Sequence, residues 1–306
     1  WQHGSAKLKM KNLVESAFQN FIARESLAEK KIVLMISGGV DSTVLLHVAA
    51  KFLKSENLAI LHVNHKTRAA CDAEQIFVEK MCKKLSIKFF VQKLAKLPQK
   101  NQESWWRAER EKCKTDVLKK FGATRALTAH HATDLAETMI WRLTKGCGVS
   151  GLSPFEISTK PFWEISKSEI EKYARAKKLS WCEDFSNLNT NFERNLIRHE
   201  ILPVLRKVTP NLEKVCVAES KIFGAAANFL ETKLPEISEN KILLTNFLAL
   251  PEILQTEFLR KIARQIPSSS ELDDCLRWLQ NSPQGGTQKT IGGTPLAFRA
   301  KILSWK

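Results

Sequence analysis

At 306 residues the chain has room for two domains of ordinary size, or for one large one. Hydrophobic residues make up 43% and charged residues 26%, a globular usage that excludes collagen-like, disordered and low-complexity scaffolds. The 48 Lys+Arg against 32 Asp+Glu leave a net charge of +16, which favours polyanionic partners, nucleic acid or a membrane surface, without setting a fold.

The excess is concentrated. Residues 80–125 hold 14 Lys/Arg and 4 Asp/Glu, which is either a solvated helix face or part of a nucleic-acid footprint. The 7 Cys are odd in number and never stand as C-x-x-C, which argues against a disulfide framework, a zinc ribbon or a cysteine-bound cluster. Reduced thiols in a cytoplasmic protein are the expectation. No apolar run reaches the length of a membrane span and no signal peptide is visible, so no membrane partner is expected. Residues 1–5 are left out of the fold reading.

Residues 32–36 read as a short buried strand, followed by SGGVDS and a helical pattern over 43–53. Further strands are expected at 58–63, 87–91 and 125–129, and helices at 72–85, 103–121 and 134–143. Strands alternating with helices predict βαβ units: an α/β fold with a parallel sheet flanked by helices, Rossmann-like, whose ligands bind at the C-terminal strand ends. Gly146, Gly148, Gly151 and Pro154 then break the pattern. Ser166-x-x-Glu169 is a capping-box signature for a helix to about 178. Helices are expected at 192–206 and 211–234, a boundary at 235–241, helices at 251–265 and 270–281, and two strands at 287–291 and 295–304 joined by Gly292-Gly293-Thr294. This predicts a helical linker region and a small α+β C-terminal domain.

Ser37-Gly38-Gly39-Val40-Asp41-Ser42 lies between strand and helix. Two glycines let the backbone turn tightly and approach a ligand. The helix that begins there aims free N–H groups and its positive dipole end at the turn, and together these make an anion cradle. Ser37 and Ser42 add hydroxyls. Asp41 repels a phosphate unless a divalent cation lies between, which implies Mg²⁺. The G-x-x-x-x-G-K-[ST] loop is absent, and no loop lysine reaches the phosphates. A glycine-rich turn with an ordinary helix start is the alternative.

The SGGVDS loop after the first strand resembles that of N-type ATP pyrophosphatases (PP-loop proteins), which cleave ATP between the α and β phosphates. Further stations resemble one branch of them, the tRNA(Ile)-lysidine synthetases. Val63-Asn64-His65-Lys66-Thr67-Arg68 is similar to V-N-H-x-x-R, and residues 128–138, TAHHATDLAET, are similar to T-A-H-H-x-x-D-x-x-E-T. There His131, Asp134 and Glu137 are spaced by three and can share a helix face; they hold a metal or a cationic substrate, or else cap the helix with Thr133. Thr133 stands where many relatives carry a second acid. Glu103, Arg107 and Arg110 resemble E-x-x-x-R-x-x-R. Residues 145–152, KGCGVSGL, resemble R-G-x-G-x-x-G-L, with a flexible connection as the alternative. Lys160-Pro161 replaces Arg-Pro, residues 181–187 match W-x-E-D-x-S-N, and Arg194, Arg198 and Pro203 match R-N-x-I-R-x-x-x-x-P.

The resemblance implies a catalytic PP-loop domain over residues 6–215 and a helical connection with a small tRNA-recognition domain over 216–306. It implies ATP and Mg²⁺ as cofactors. The substrates it implies are lysine and the wobble cytidine of tRNA(Ile) with a CAU anticodon. Residues 37–42, His65 and His131 would bind ATP, and Asp41 and Asp134 would organise the metal. Glu137 would take the lysine, with Arg107 in support at the catalytic centre. Arg68, Arg110, Arg194 and Arg198 would grip the tRNA. A homodimer is left open. A thiolase-like PP-loop enzyme and a non-catalytic RNA- or nucleotide-binding module on the same fold are the competing readings.

Overall fold

The computed structural model describes residues 2–64, 70–94, 102–183, 193–236, 239–265, 267–281, 287–299 and 301–305. The chain forms two compact units. The first comprises Trp1–Ala136, Phe155–Leu196 and Val208–Lys214; the second comprises Glu137–Pro154, Ile197–Lys207 and Val215–Lys306.

The chain opens with α1 (Gln2–Arg24), β1 (Ile32–Met35), α2 (Val40–Phe52), β2 (Leu58–Asn64) and α3 (Ala70–Lys84). It continues with β3 (Lys88–Lys93), α4 (Gln102–Phe121), β4 (Arg125–Leu127) and α5 (Ala132–Lys145), the last shared between the units. Short α6 (Gly148–Gly151), α7 (Lys167–Ala176) and α8 (Glu193–Leu196) follow. A π turn (Ile197–Ile201) then leads into α9 (Leu202–Val208) and α10 (Leu212–Lys233).

In the first unit the four strands are parallel in the order β3-β2-β1-β4, with Ile32 opposite Leu58 and Arg125. Alternation along the strands separates two apolar layers. Ile32, Leu34, Leu58 and Ile60 pack with Val14 and Phe18 of α1, Leu45 of α2, Val78 of α3 and Ile170 of α7. Val33, Ala59, Leu61 and Ala126 face the opposite way, onto Cys113, Val117 and Phe121 of α4, with Trp105 against them. Burial on both faces is what a parallel sheet requires, and it explains why these strands read as continuous apolar runs. Chain order reverses at β1, so the crevice beyond the C-terminal ends of β1 and β4 is the switch point where such sheets bind ligands.

The second unit contains an antiparallel sheet in the order β5-β8-β7-β6: β5 (Lys241–Leu243), β6 (Gln288–Ile291), β7 (Thr294–Arg299) and β8 (Ile302–Trp305). Helices α11 (Leu244–Leu248), α12 (Glu252–Ile262) and α13 (Ser269–Gln280) supply Phe247, Phe258 and Leu279 to a core closed by Leu296, Leu303 and Trp305. Gly292 and Gly293, at φ +47° and +73°, form the two-residue turn between β6 and β7, where both central residues need positive φ.

Several elements differ from the sequence reading: the helix expected over 192–206 is α8, the π turn and α9, and α11 is absent from that reading. Helix α1 is absent from it, although Val14, Phe18, Phe21 and Ile22 carry helical spacing; the polar, lysine-rich residues before them dilute the signal. Strand β5 is three residues long and owes its state to pairing with β8. The single strand expected over 295–304 is two, reversing between Arg299 and Ile302 with Lys301 at φ +64°, a conformation that lysine does not announce. No described helix is long and apolar enough to cross a membrane.

Candidate functional site

The loop after β1 folds back on its own hydroxyls. Ser42 Oγ accepts from the Gly38 N–H (3.1 Å) and donates to the Gly39 carbonyl (2.9 Å), while Ser37 Oγ accepts from the Gly39 N–H (3.3 Å). Gly38 has φ +101°, a conformation that side chains disfavour, while a Cβ there would meet Val78 Cγ2 at an ordinary 3.4 Å, so it is the backbone conformation that selects glycine. Its carbonyl accepts from the Cys182 N–H (2.9 Å) and from Thr43 Oγ1 (3.3 Å). Helix α2 starts at Val40 with no side-chain cap, so its first N–H groups are left to a ligand or to water.

Asp41, in the first turn of α2, meets two other helix N-termini. Lys167 Nζ, from the first residue of α7, donates to Oδ1 (2.8 Å) and Oδ2 (2.7 Å). His131 Nε2, just before α5, lies 3.6 Å from Oδ1. The Lys167 backbone N–H donates to Thr133 Oγ1 of α5 (3.2 Å). Side chains from three helix N-termini therefore meet here, and of the three only the start of α2 has no side-chain cap.

The start of α5 explains His131 and Asp134. The Asp134 N–H donates to His131 Nδ1 (3.2 Å), and the His131 N–H donates to Asp134 Oδ2 (3.1 Å). This is a capping box built from His and Asp in place of Ser and Glu. Nδ1 is an acceptor, so a neutral His131 carries its proton on Nε2, toward Asp41. The cap is therefore His131 and not Thr133. Thr133 accepts from Lys167 and donates to Glu213 Oε1 (3.3 Å); a carboxylate there could accept but not donate. The capping box expected at Ser166 and Glu169 is present and sets where α7, and with it Lys167, begins.

A cavity of about 300 Å³ opens beside the loop, lined by Ser37, Asp41, Ser42, Arg110, His130 and Asp134. Its volume is at the lower end for small-molecule sites. Asp41 and Asp134 lie on opposite sides of the His131 ring, and among the described residues no three of His, Cys, Asp and Glu gather as a metal cage. One carboxylate facing a phosphate site still suits Mg²⁺, which uses one or two carboxylates together with substrate phosphates and water.

In the second unit Glu137, 4% exposed, is held by Arg198 of the π turn: Nε to Oε1 at 2.5 Å and Nη2 to Oε2 at 2.8 Å. Glycine-rich residues 146–151 are tightly packed: a Cβ on Gly148 would meet Arg260 Nε at 2.6 Å, and Arg260 Nη1 donates to the Gly146 carbonyl. The stretch is a packed turn and not a flexible connection. Lys160 donates to Thr159 Oγ1 and sits over the Phe155 ring; burial holds its ammonium pKa below the usual range.

The structure thus brings residues 37–42, His131 and Asp134 to one place, with Arg110 on the same cavity. Arg194 is exposed on α8. His65 and Arg68 lie outside the described residues, as does the side chain of Arg107 on α4. Sequence reasoning missed Lys167. The capping box places it at a helix start, but nothing local points to a partner 126 residues away.

The family model for the PP-loop domain matches residues 10–205. Curated relatives named tRNA(Ile)-lysidine synthase include one from Nitrosomonas europaea, 32% identical, covering 90% of this chain and 65% of the relative. One from Persephonella marina is 33% identical and covers 79% and 56%. One from Petrotoga mobilis is 32% identical and covers 86% and 88%. The chain thus spans less than two thirds of the first two relatives and most of the third. The U34-tRNA thiolase NcsA from Methanococcus maripaludis, solved with its [4Fe-4S] cluster, superposes with a TM-score of 0.61 at 17% identity, covering 72% of this chain and 81% of that one, which shows the shared fold.

Proposed function

The chain belongs to the tRNA(Ile)-lysidine synthase family within the PP-loop domain proteins, and from that premise we propose that it ligates lysine to the wobble cytidine of tRNA(Ile) with a CAU anticodon, using ATP. The observation that carries this reading is the meeting of side chains from three helix N-termini at the self-satisfied SGGVDS loop, at the switch point of the sheet.

The cytosine C2 carbonyl is a poor electrophile. Its oxygen attacks the α-phosphorus of ATP, the α–β bond breaks, and pyrophosphate leaves. The C2 oxygen is then part of a leaving group. The lysine ε-amine forms the new C2–N bond, AMP departs with that oxygen, and the amine proton is lost to solvent.

The Gly38 and Gly39 N–H groups, the start of α2 and the Ser37 and Ser42 hydroxyls hold the departing phosphates. Asp41 would hold Mg²⁺ against them, with Asp134 in support on the far side of His131. The metal supplies neutralising charge at the breaking bond. His131 and His65 line the nucleotide, and Arg107 supports the reacting phosphates. Glu137 takes the lysine ammonium or orients the neutral amine, for which Arg198 must yield its place. Catalysis belongs to residues 6–215, and tRNA recognition to residues 216–306 together with Arg68, Arg110, Arg194, Arg198 and the basic 80–125 segment. Free cysteines and a tRNA substrate suit the cytoplasm. Sulfur transfer is the less favoured reading, since none of the 7 Cys stand as C-x-x-C.

The test is transfer of radiolabelled lysine to an unmodified tRNA(Ile) transcript with a CAU anticodon, with Asp41→Asn in parallel. Label that needs ATP and vanishes in the variant supports the reading. No label from folded protein and a competent transcript rejects it, and a sulfur-transfer assay then decides for the thiolase alternative. Affinity for the tRNA should also fall at least about tenfold between 50 and 200 mM salt.

A further inference from the structure

The Lys167 ammonium contacts the phosphate loop at Asp41, and the loop itself contains no cation. We propose that Lys167 is a phosphate-contacting residue: when nucleotide binds, its ammonium leaves Asp41 for the β and γ phosphates that depart as pyrophosphate. It would do from α7 what no side chain of the SGGVDS loop can do. The proposal rests on the nucleotide reading above and extends it to a residue outside the family stretches named in the sequence.

The geometry supports an exchange of partners. The Lys167 backbone is fixed: Ser166 caps the helix, and the Lys167 N–H is tied to Thr133. Only the four-carbon stem is free to swing, and an ammonium is a compact charge that re-aims easily. The pair it makes with Asp41 is about one-third exposed on both sides (35% and 29%), so it is a screened contact that is cheap to break. The loop's other phosphate donors are parked in the same way, the Gly38 and Gly39 N–H groups on serine hydroxyls at 3.1 and 3.3 Å. Helix α2 starts at this loop with no side-chain cap, so its first N–H groups favour an anion within reach of the Lys167 stem. A cation at Asp41 in the nucleotide-bound protein would release the ammonium; until then Lys167 neutralises a carboxylate that would otherwise repel the incoming phosphates.

The alternative is that Lys167 merely orients Asp41. Calorimetric binding of α,β-methylene ATP, which cannot be cleaved at the α–β bond, separates the two, with Mg²⁺ present and AMP as the probe lacking the β and γ phosphates. Proteins would be the wild type, Lys167→Met, Lys167→Arg, Asp41→Asn and the Asp41→Asn/Lys167→Met double variant, each checked for folding by its melting curve. Lys167→Met should weaken the triphosphate analogue about 10- to 100-fold and AMP by no more than about twofold; the arginine variant should recover most of the loss. In the Asp41→Asn background, Lys167→Met should again cost about tenfold. Unchanged analogue affinity in Lys167→Met overturns the proposal. So does the loss of its effect once Asp41 is Asn, which leaves Lys167 a positioning residue for Asp41. Folded wild-type protein that binds neither nucleotide overturns the nucleotide reading itself.

Discussion

Glu15 joins three helices through one carboxylate, and replacing it by Gln tests that clamp. It lies on α1, 7% exposed, and accepts from Lys51 Nζ of α2 (2.6 Å) and Tyr173 Oη of α7 (2.7 Å), with Lys177 Nζ at 3.2 Å. Burial alone raises the pKa of Glu15, but the hydrogen bonds from Lys51, Tyr173 and Lys177 outweigh it and hold the carboxyl at about 2. Burial and the same contact push the Tyr173 phenol above its usual range. Against an ordinary value of 4.5, the depression of Glu15 corresponds to about 3 kcal/mol at full strength. Lys51 and Lys177 are 44% and 35% exposed, so solvent screening reduces this to about 1–2 kcal/mol. A pKa depressed in the folded state stabilises the fold at pH values above the unfolded-state pKa, and that contribution fades as pH falls toward the folded-state value. Glu15→Gln should therefore melt about 2–4 °C below wild type at neutral pH. The gap should stay level down to about pH 4.5 and close toward pH 2. Thermal unfolding followed by circular dichroism at a series of pH values measures it. A gap as wide at pH 3 as at pH 7 would refute the electrostatic account, and no gap at pH 7 would refute the clamp.

Three further outcomes are expected. Gly38→Ala must place a side chain at φ +101° and should cost about 1–3 kcal/mol in urea unfolding; unchanged stability would mean that the loop adopts another backbone path. His131→Ala should lower stability by about 1 kcal/mol through loss of the α5 cap, and His131→Asn should restore most of it; equal losses in both would count against the His–Asp capping box. Burial raises the thiols of Cys82 and Cys275 to about 12 and about 11, so both should resist a disulfide reagent at pH 8 in native protein and react once it is unfolded. Prompt native labelling of either would contradict their burial.

Much of the fold was legible because its signals are local. The parallel strands show as short apolar runs, and the hairpin between β6 and β7 is written in two adjacent glycines. The Ser166–Glu169 capping box needs four residues and formed as expected. Strand β5 was not legible, since three residues carry no period and only its partner makes it a strand. At the site, residues 37–42 and 131–134 could be placed from their own spacing. Which residue caps α5 could not, because His131 reaches its role through the Asp134 backbone and not through a preference that histidine advertises.

By itself the sequence determined the α/β class, the phosphate loop at the end of the first strand and the family, because each is encoded within a dozen neighbouring residues or in the order of such stretches. Only the tertiary structure decided who neutralises whom. Lys167 meets Asp41 across 126 residues, Tyr173 meets Glu15 across 158, and Arg198 meets Glu137 across 61. A charged side chain carries no mark of its partner. The strand order β3-β2-β1-β4 and the helices packed on it bring the N-termini of α2, α5 and α7 together, and the charges at those ends then find one another.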